Sequence, residues 1–264
     1  MKPPVFDYYR AASVDEALDV LDEREGARVI AGGQSLIPRM NLRLARPEAL
    51  VDIGRLEHLR RVGVVDGSLY LGGLVTHATL CGHPAILRHA PLLVEAASHI
   101  GHQAIRERGT IGGSLAHGDP AAELIACCSA LGASVYLQSS SGCREVPARE
   151  FVQGPYSTAA SHNEIVTWIR IPLADDRRVG FYEVAPRPGD FARVGAVWCS
   201  EPENDKSTVA LFGSDCGHMS IELGGDGRAA DVLDAVRASG RVQGGLVRVV
   251  EAAVKRSMPT EFHE

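Results

Sequence analysis

The sequence has no excess of positive charge. Acidic residues number 33 and basic ones 27, a formal net charge of −6. That argues against a nucleic-acid or anionic-membrane surface as the main partner. No apolar run approaches the roughly 18 residues of a membrane span, and the start, MKPPVFDYYR, has no apolar signal core. A cytoplasmic protein is expected. The six cysteines (81, 127, 128, 143, 199 and 216) include no C-x-x-C pair, so they read as free thiols in a reducing compartment, not as ligands. The ten histidines form no H-E-x-x-H, and His83 and His89 read as loop or surface residues. No G-x-S-x-G is present, and no local spacing puts a histidine or aspartate beside Ser35 or Ser114 to make a nucleophilic triad.

What is abundant is glycine, 28 of 264 residues. Two segments concentrate the chemistry. Ala31-Gly32-Gly33-Gln34-Ser35-Leu36 follows a short apolar run, ARVI, which reads as a buried strand. Thr110-Ile111-Gly112-Gly113-Ser114 lies in an irregular stretch over 106–120. A glycine pair lets successive backbone N–H groups point into one concavity, because positive φ costs glycine little. Such a nest binds phosphate oxygens without a charged side chain. Ser35, Thr110 and Ser114 could add hydroxyl donors. Neither segment carries the lysine of a Walker loop, which disfavours a nucleoside-triphosphate hydrolase. Each taken alone also reads as a plain turn. Gly225-Asp226-Gly227-Arg228-Ala229-Ala230 fits G-x-G-x-x-A, but Asp226 would place negative charge against a pyrophosphate. It reads as a turn and a helix start. Asp119 and Glu123, four apart, read as helix-dipole support or as ligand hydrogen-bonding groups.

The surrounding pattern predicts mixed α and β structure. Ser13-Val14-Asp15-Glu16 is a capping box, followed by Val14, Ala17, Leu18 and Leu21 at helical spacing, with Gly26 placed as a stop. Pro38 starts a helix near itself. Residues 50–53 read as a strand. Asp66-Gly67 between β-type runs predicts a hairpin. Helices are expected over 76–80, 92–100 and 121–131, and strands over 133–138 and 164–171. Past 173 the runs ADDRR and APRPGD read as loops. Strands follow at 193–199, 207–213 and 218–223, and helices at 228–238 and 245–256. Domain boundaries are placed near 55 and 175, giving units 1–55, 56–175 and 176–264.

The chain resembles the FAD-binding medium subunit of the molybdenum hydroxylases, the group of carbon monoxide dehydrogenase and xanthine dehydrogenase. The resemblance rests on MKPPVFDY (1–8), AGGQSLIPRMNLRLARPEALVDIGRL (31–56), IGHQAIRERGTIGGSLAHGDPAAEL (100–124), EIVTWIRIP (164–172) and RPGDFARVGAV (187–197). It covers roughly residues 1–200. It implies an α+β protein: two α/β FAD-binding subdomains of the PCMH/vanillyl-alcohol-oxidase type, then a small α+β C-terminal domain. It implies FAD contacts at Val29, Ile30, Ala31, Gly32, Gly33, Gln34, Ser35 and Leu36, and at Thr110, Ile111, Gly112, Gly113 and Ser114. It places Ile100 near the isoalloxazine ring, Glu123 on the FAD, Val166 along the site, and Tyr182 and Glu183 where some members carry a cofactor-contacting lysine. Ser114 replaces the family's usual asparagine. The region after about 200 is weakly similar, reads as shortened, and lacks the Tyr-Arg-Arg helix signature. No metal ligand set is expected in this chain.

The implied function is an oxidoreductase subunit that takes electrons from [2Fe-2S] clusters of a small partner subunit and passes them to an external acceptor. A large molybdopterin-binding subunit would hydroxylate the substrate. The alternatives are a stand-alone FAD-dependent oxidoreductase of the same fold and a non-enzymatic assembly protein that no longer holds FAD.

Overall fold

The computed structural model describes residues 2–224, 229–238, 240 and 246–258. Among the described residues three larger sheets follow one another along the chain, and Val152–Gly154 pairs with Ser157–Thr158 in a small two-stranded one. The first is parallel, with the strand Ala49–Asp52 between Asp7–Arg10 and Ala27–Ile30. Ser13 caps the helix Val14–Glu23 by accepting from the Glu16 N–H, and the Glu16 carboxylate takes the Ala12 N–H. Val14, Ala17, Leu18 and Leu21 bury one face of that helix against Ala49, Val51 and Ile53. This is the 3.6-residue pattern read from the sequence. The helix does not end on a left-handed Gly26. It ends at an extended Arg24. The missing side chain at Gly26 leaves room for Glu48, whose Cδ would lie 2.7 Å from an added Cβ.

The second sheet is antiparallel, in the order Val62–Val65, Ser68–Gly72, Ile165–Pro172, Ser134–Ser139, Gly142–Pro147. Asp66 and Gly67 join its first two strands with φ of 45° and 69°, the two left-handed residues that a tight hairpin of matching twist requires. The helices Pro91–His99 and Glu123–Ala130 bury Leu92, Leu93, Ala96, Leu124, Ile125 and Cys128 in the core beside this sheet.

The stretch 106–120 is not irregular. Thr110 caps a helix, Ile111–His117, that ends at a left-handed Gly118. Two helical glycines cost about 1 kcal/mol each against alanine. Ile111 and Leu115, both fully buried, offset that cost.

The third sheet is an antiparallel meander: Arg178–Val184, Val194–Glu201, Lys206–Phe212, Met219–Gly224. Its first strand lies between the two runs read as loops, over residues for which the sequence gives no strand; Arg178 pairs with Ser200 and Val184 with Val194. One face packs Val197, Cys199, Ala210 and Phe212 into the same core as the Glu123–Ala130 helix. The other face packs Trp198, Val209 and Leu211 against Val232 and Val236 of the helix Ala229–Ala238 and Val250, Ala253 and Val254 of the helix Leu246–Ser257. The Gly225-to-Arg228 part of the G-x-G-x-x-A segment lies outside the described residues.

Candidate functional site

The two glycine segments, far apart in sequence, meet. A Cβ on Gly32 would stand 2.1 Å from the Arg108 carbonyl oxygen and 3.0 Å from Gly109 Cα. Only a glycine permits this approach. Gly33 next to it has φ of 73°, which turns the chain into the short helix Leu36–Asn41. Ile37 N–H and Arg39 N–H donate back to Gly33 and Ser35, and Gln34 Nε2 donates to the Gly32 carbonyl. The backbone N–H groups of Gly32, Gly33, Gln34, Ser35 and Leu36 have no acceptor among the described residues. These residues are half-buried or, at Ser35, exposed. A run of unpartnered donors on a loop with one left-handed glycine leaves N–H groups available to an anion. Val29, Ile30 and Ala31 lead into it from the strand Ala27–Ile30, which places the loop at a strand's carboxyl end.

The second segment differs from expectation. Its N–H groups are not free. Ile111 N–H donates to the Val75 carbonyl and Gly112 N–H to the Gly73 carbonyl, both at 3.0 Å. Gly113 N–H donates to Thr110 Oγ1 at 3.1 Å, and Ser114 N–H to the Thr110 carbonyl. The glycines here serve close packing: a Cβ on Gly112 would stand 2.6 Å from Gly73 O, and one on Gly73 would stand 2.2 Å from Val166 O. Val166 therefore joins the group through backbone contact. What the second segment offers outward is the exposed edge at Gly113 and the half-buried Ser114 hydroxyl.

Behind the seam lies His77. Its Nε2 is 3.1 Å from Ser114 Oγ. Burial lowers its pKa to about 4 against the opposing pull of the Thr110 backbone, so the ring is neutral. Nothing in the sequence distinguishes His77 from the other nine histidines; only the fold sets it against Gly109.

Ile100 ends the helix Pro91–His99. Arg106 Nη1 donates to the carbonyls of Ser98, Ile100 and Gly101, at 3.3, 3.1 and 2.8 Å. The arginine thus ties the Ile100 turn to the segment leading into Thr110. The 187–191 loop closes over the turn: a Cβ on Gly189 would meet Gly101 O at 3.0 Å.

Glu123 opens its helix and is buried. Burial pushes its carboxyl up to about 8, with Glu183 and Asp119 adding to the rise. Glu183 Oε1 lies 3.0 Å from His99 Nδ1, and its Oε2 has no hydrogen-bond partner. Its pKa is raised by burial and lowered in part by His99.

Tyr182 does not join this group. Along the strand Arg178–Val184 side chains alternate between faces. Phe181 and Glu183 point toward His99. Tyr182 points the other way, with its hydroxyl bonded to Arg256 and its ring under that guanidinium at 5.0 Å. The position belongs to the C-terminal core.

Among the described residues no group of histidine, cysteine and acidic side chains could hold a metal ion. No helix of the described residues is long and apolar enough to cross a membrane.

Residues 4–174 match the family model described as the FAD binding domain in molybdopterin dehydrogenase. Among curated proteins, the medium subunit of nicotine 6-hydroxylase from Paenarthrobacter nicotinovorans is 42% identical over 212 residues, 80% of this chain and 75% of that one. Among solved structures, quinoline 2-oxidoreductase from Pseudomonas putida 86 aligns with a TM-score of 0.86 at 31% identity, over 97% of this chain and 96% of that one. Carbon monoxide dehydrogenase from Hydrogenophaga pseudoflava, in a form lacking the Mo-pyranopterin moiety, aligns with a TM-score of 0.88 at 30% identity, over 97% of both chains.

Proposed function

The chain belongs to the FAD-binding medium subunits of the molybdenum hydroxylases, an oxidoreductase family with the PCMH/vanillyl-alcohol-oxidase fold, and from that premise we propose that it holds FAD at the seam of its two glycine segments and serves electron transfer. The observation that carries the reading is the run of unpartnered N–H groups from Gly32 to Leu36. Those donors fit the pyrophosphate of a dinucleotide, because they satisfy an anion without bringing a counter-charge.

Val29, Ile30 and Ala31 set the height of the loop above the first sheet. Thr110, Ile111, Gly112 and Gly113 form its wall, and Ser114 adds a hydroxyl. Ile100 and Val166 line the apolar part. Glu123, protonated over most of the physiological range, donates a hydrogen bond from its carboxyl to the cofactor. FAD, when bound, supplies the two-electron redox chemistry; the protein supplies binding, orientation and electrostatics. Electrons reach the subunit from [2Fe-2S] clusters of a small partner and leave to an external acceptor. A large molybdopterin-binding partner carries out the hydroxylation, so this chain needs no general base for it. The work takes place in the cytoplasm.

The test is an absorption spectrum of the purified chain, followed by heat release and chromatographic identification of the cofactor. FAD at about one per chain is expected, either as isolated or after incubation with added FAD. A chain that carries none and takes up none overturns the reading. Copurification of an iron–sulfur polypeptide supports the proposed electron path; reduction of the isolated flavoprotein by a small molecule at turnover rate, with no such polypeptide, overturns that path.

A further inference from the structure

His77 is used by no step described so far, yet it stands where both glycine segments meet. Its backbone N–H donates to the Gly109 carbonyl at 2.9 Å. Its ring fills the space beside Gly109, where an added Cβ would come within 2.9 Å of Cε1 and Nδ1. The same Gly109 has its Cα 3.0 Å from where a Cβ on Gly32 would stand. We propose that His77 is a positioning residue for the cofactor site: its Nε2–H donates to Ser114 Oγ, which turns the one hydroxyl proton of Ser114 outward as a donor to a phosphate oxygen. This rests on the FAD-binding reading above.

The argument is one of tautomers. A neutral imidazole carries one N–H and one bare nitrogen. His77 Nδ1 is buried and has no hydrogen-bond partner, while Nε2 faces Ser114 Oγ. With the proton on Nδ1, a buried donor would be orphaned. With the proton on Nε2, only an acceptor lone pair goes unused. Unpaired buried N–H groups are the rarer and costlier of the two. The Nε2–H form then makes Ser114 Oγ an acceptor on its inner side. The contact with His77 Nε2 is the one hydrogen bond of the Ser114 hydroxyl among the described residues, so its own proton is left without a protein acceptor. Ser114 is itself only half-buried, so its side away from His77 is open to a ligand. The opposite tautomer would draw the serine proton inward and present oxygen lone pairs to an anion. A hydroxyl is ambivalent; His77 makes this one a donor.

Nitrogen-15 NMR of the full chain reads the tautomer directly, with and without FAD. The Nε2–H form is expected in both; an Nδ1–H ring overturns the inference. The second measurement is FAD affinity, by quenching of flavin fluorescence on titration of the deflavinated full chain. Ser114→Ala and His77→Leu are each expected to weaken FAD roughly tenfold, the scale of one hydrogen bond to a charged group. The double variant is expected to be no weaker than either single one, and His77→Gln, whose amide can still donate, to retain most of the affinity. Losses that multiply in the double variant overturn the inference, as does a His77→Gln as weak as His77→Leu. A wild-type chain with no affinity for FAD sinks the FAD-binding reading instead, and the NMR result still decides the tautomer.

Discussion

The carbonyl oxygen of Arg108 occupies the space beside Gly32 that a side chain would need, 2.1 Å from where a Cβ would stand. This backbone contact joins the loop after the strand Ala27–Ile30 to the loop before the Thr110 cap. It turns two separate glycine segments into one wall.

Gly32→Ala is therefore expected to push the two segments apart. A backbone carbonyl cannot swing aside as a flexible side chain can. FAD affinity should fall at least tenfold, with a stability loss of about 1–3 kcal/mol, the usual cost of overpacking. Gly82→Ala is the control, because a Cβ there meets nothing within 4 Å and the position is helical. It should be neutral or stabilising by up to about 1 kcal/mol. Isothermal titration with FAD and urea unfolding measure both.

Gly180 plays the same part for the C-terminal helix. A Cβ there would stand 1.6 Å from the Ser257 carbonyl oxygen. Gly180→Ala should lift the end of the helix Leu246–Ser257 off the third sheet, exposing the face that holds Val250, Ala253 and Val254. Faster proteolysis within that helix is the expected signature, with cleavage at 2–224 unchanged.

Arg106→Ala removes the donor shared by three carbonyls of the Ile100 turn. A loss of about 1.5–3 kcal/mol is expected, in the range for hydrogen bonds to a charged group. Hydrogen exchange should speed up over 98–102 and not in the first sheet. Unchanged exchange there would show that the turn holds without the arginine.

Stability should fall between pH 6.5 and 8. Glu123, raised from an ordinary 4.5 to about 8, keeps its proton in the folded chain over a range where the unfolded chain has lost it. Rising pH therefore favours unfolding across that window, by up to about 1.4 kcal/mol per pH unit. Glu183 is shifted in the same direction. His77, lowered from 6.5 to about 4, acts oppositely: the unfolded chain binds the proton there first, so stability rises with pH up to 6.5. Below 6.5 the carboxyl and histidine slopes oppose each other; above it the raised carboxyls set the sign. Urea midpoints at pH 6.5 and 8 should show the loss in the wild type and little of it in Glu123→Gln. Equal losses in both chains would place the effect elsewhere.

Much of the framework was legible because its signals are local. The Ser13 cap, the buried stripe from Val14 to Leu21 and the Asp66-Gly67 turn each depend on residues a few positions apart. The helix Ile111–His117 was not legible. Its glycines lower intrinsic helicity, and it forms because Gly73 and Val75 accept the first N–H groups while Ile111 and Leu115 are buried. The strand Arg178–Val184 was masked by the charged run before it, and it exists through pairing with Val194–Glu201.

By itself the sequence determined which short segments could bend sharply and which faces had to be buried, since positive φ, capping and periodicity act within a few residues. It also carried the motifs that place the chain in its family. Only the tertiary structure decided which glycine N–H groups stay free, that Glu183 and not Tyr182 faces His99, and that His77 reaches Ser114. Those outcomes depend on which backbone approaches which across long sequence separations, and a hydrogen bond made in one place is a donor withdrawn from another.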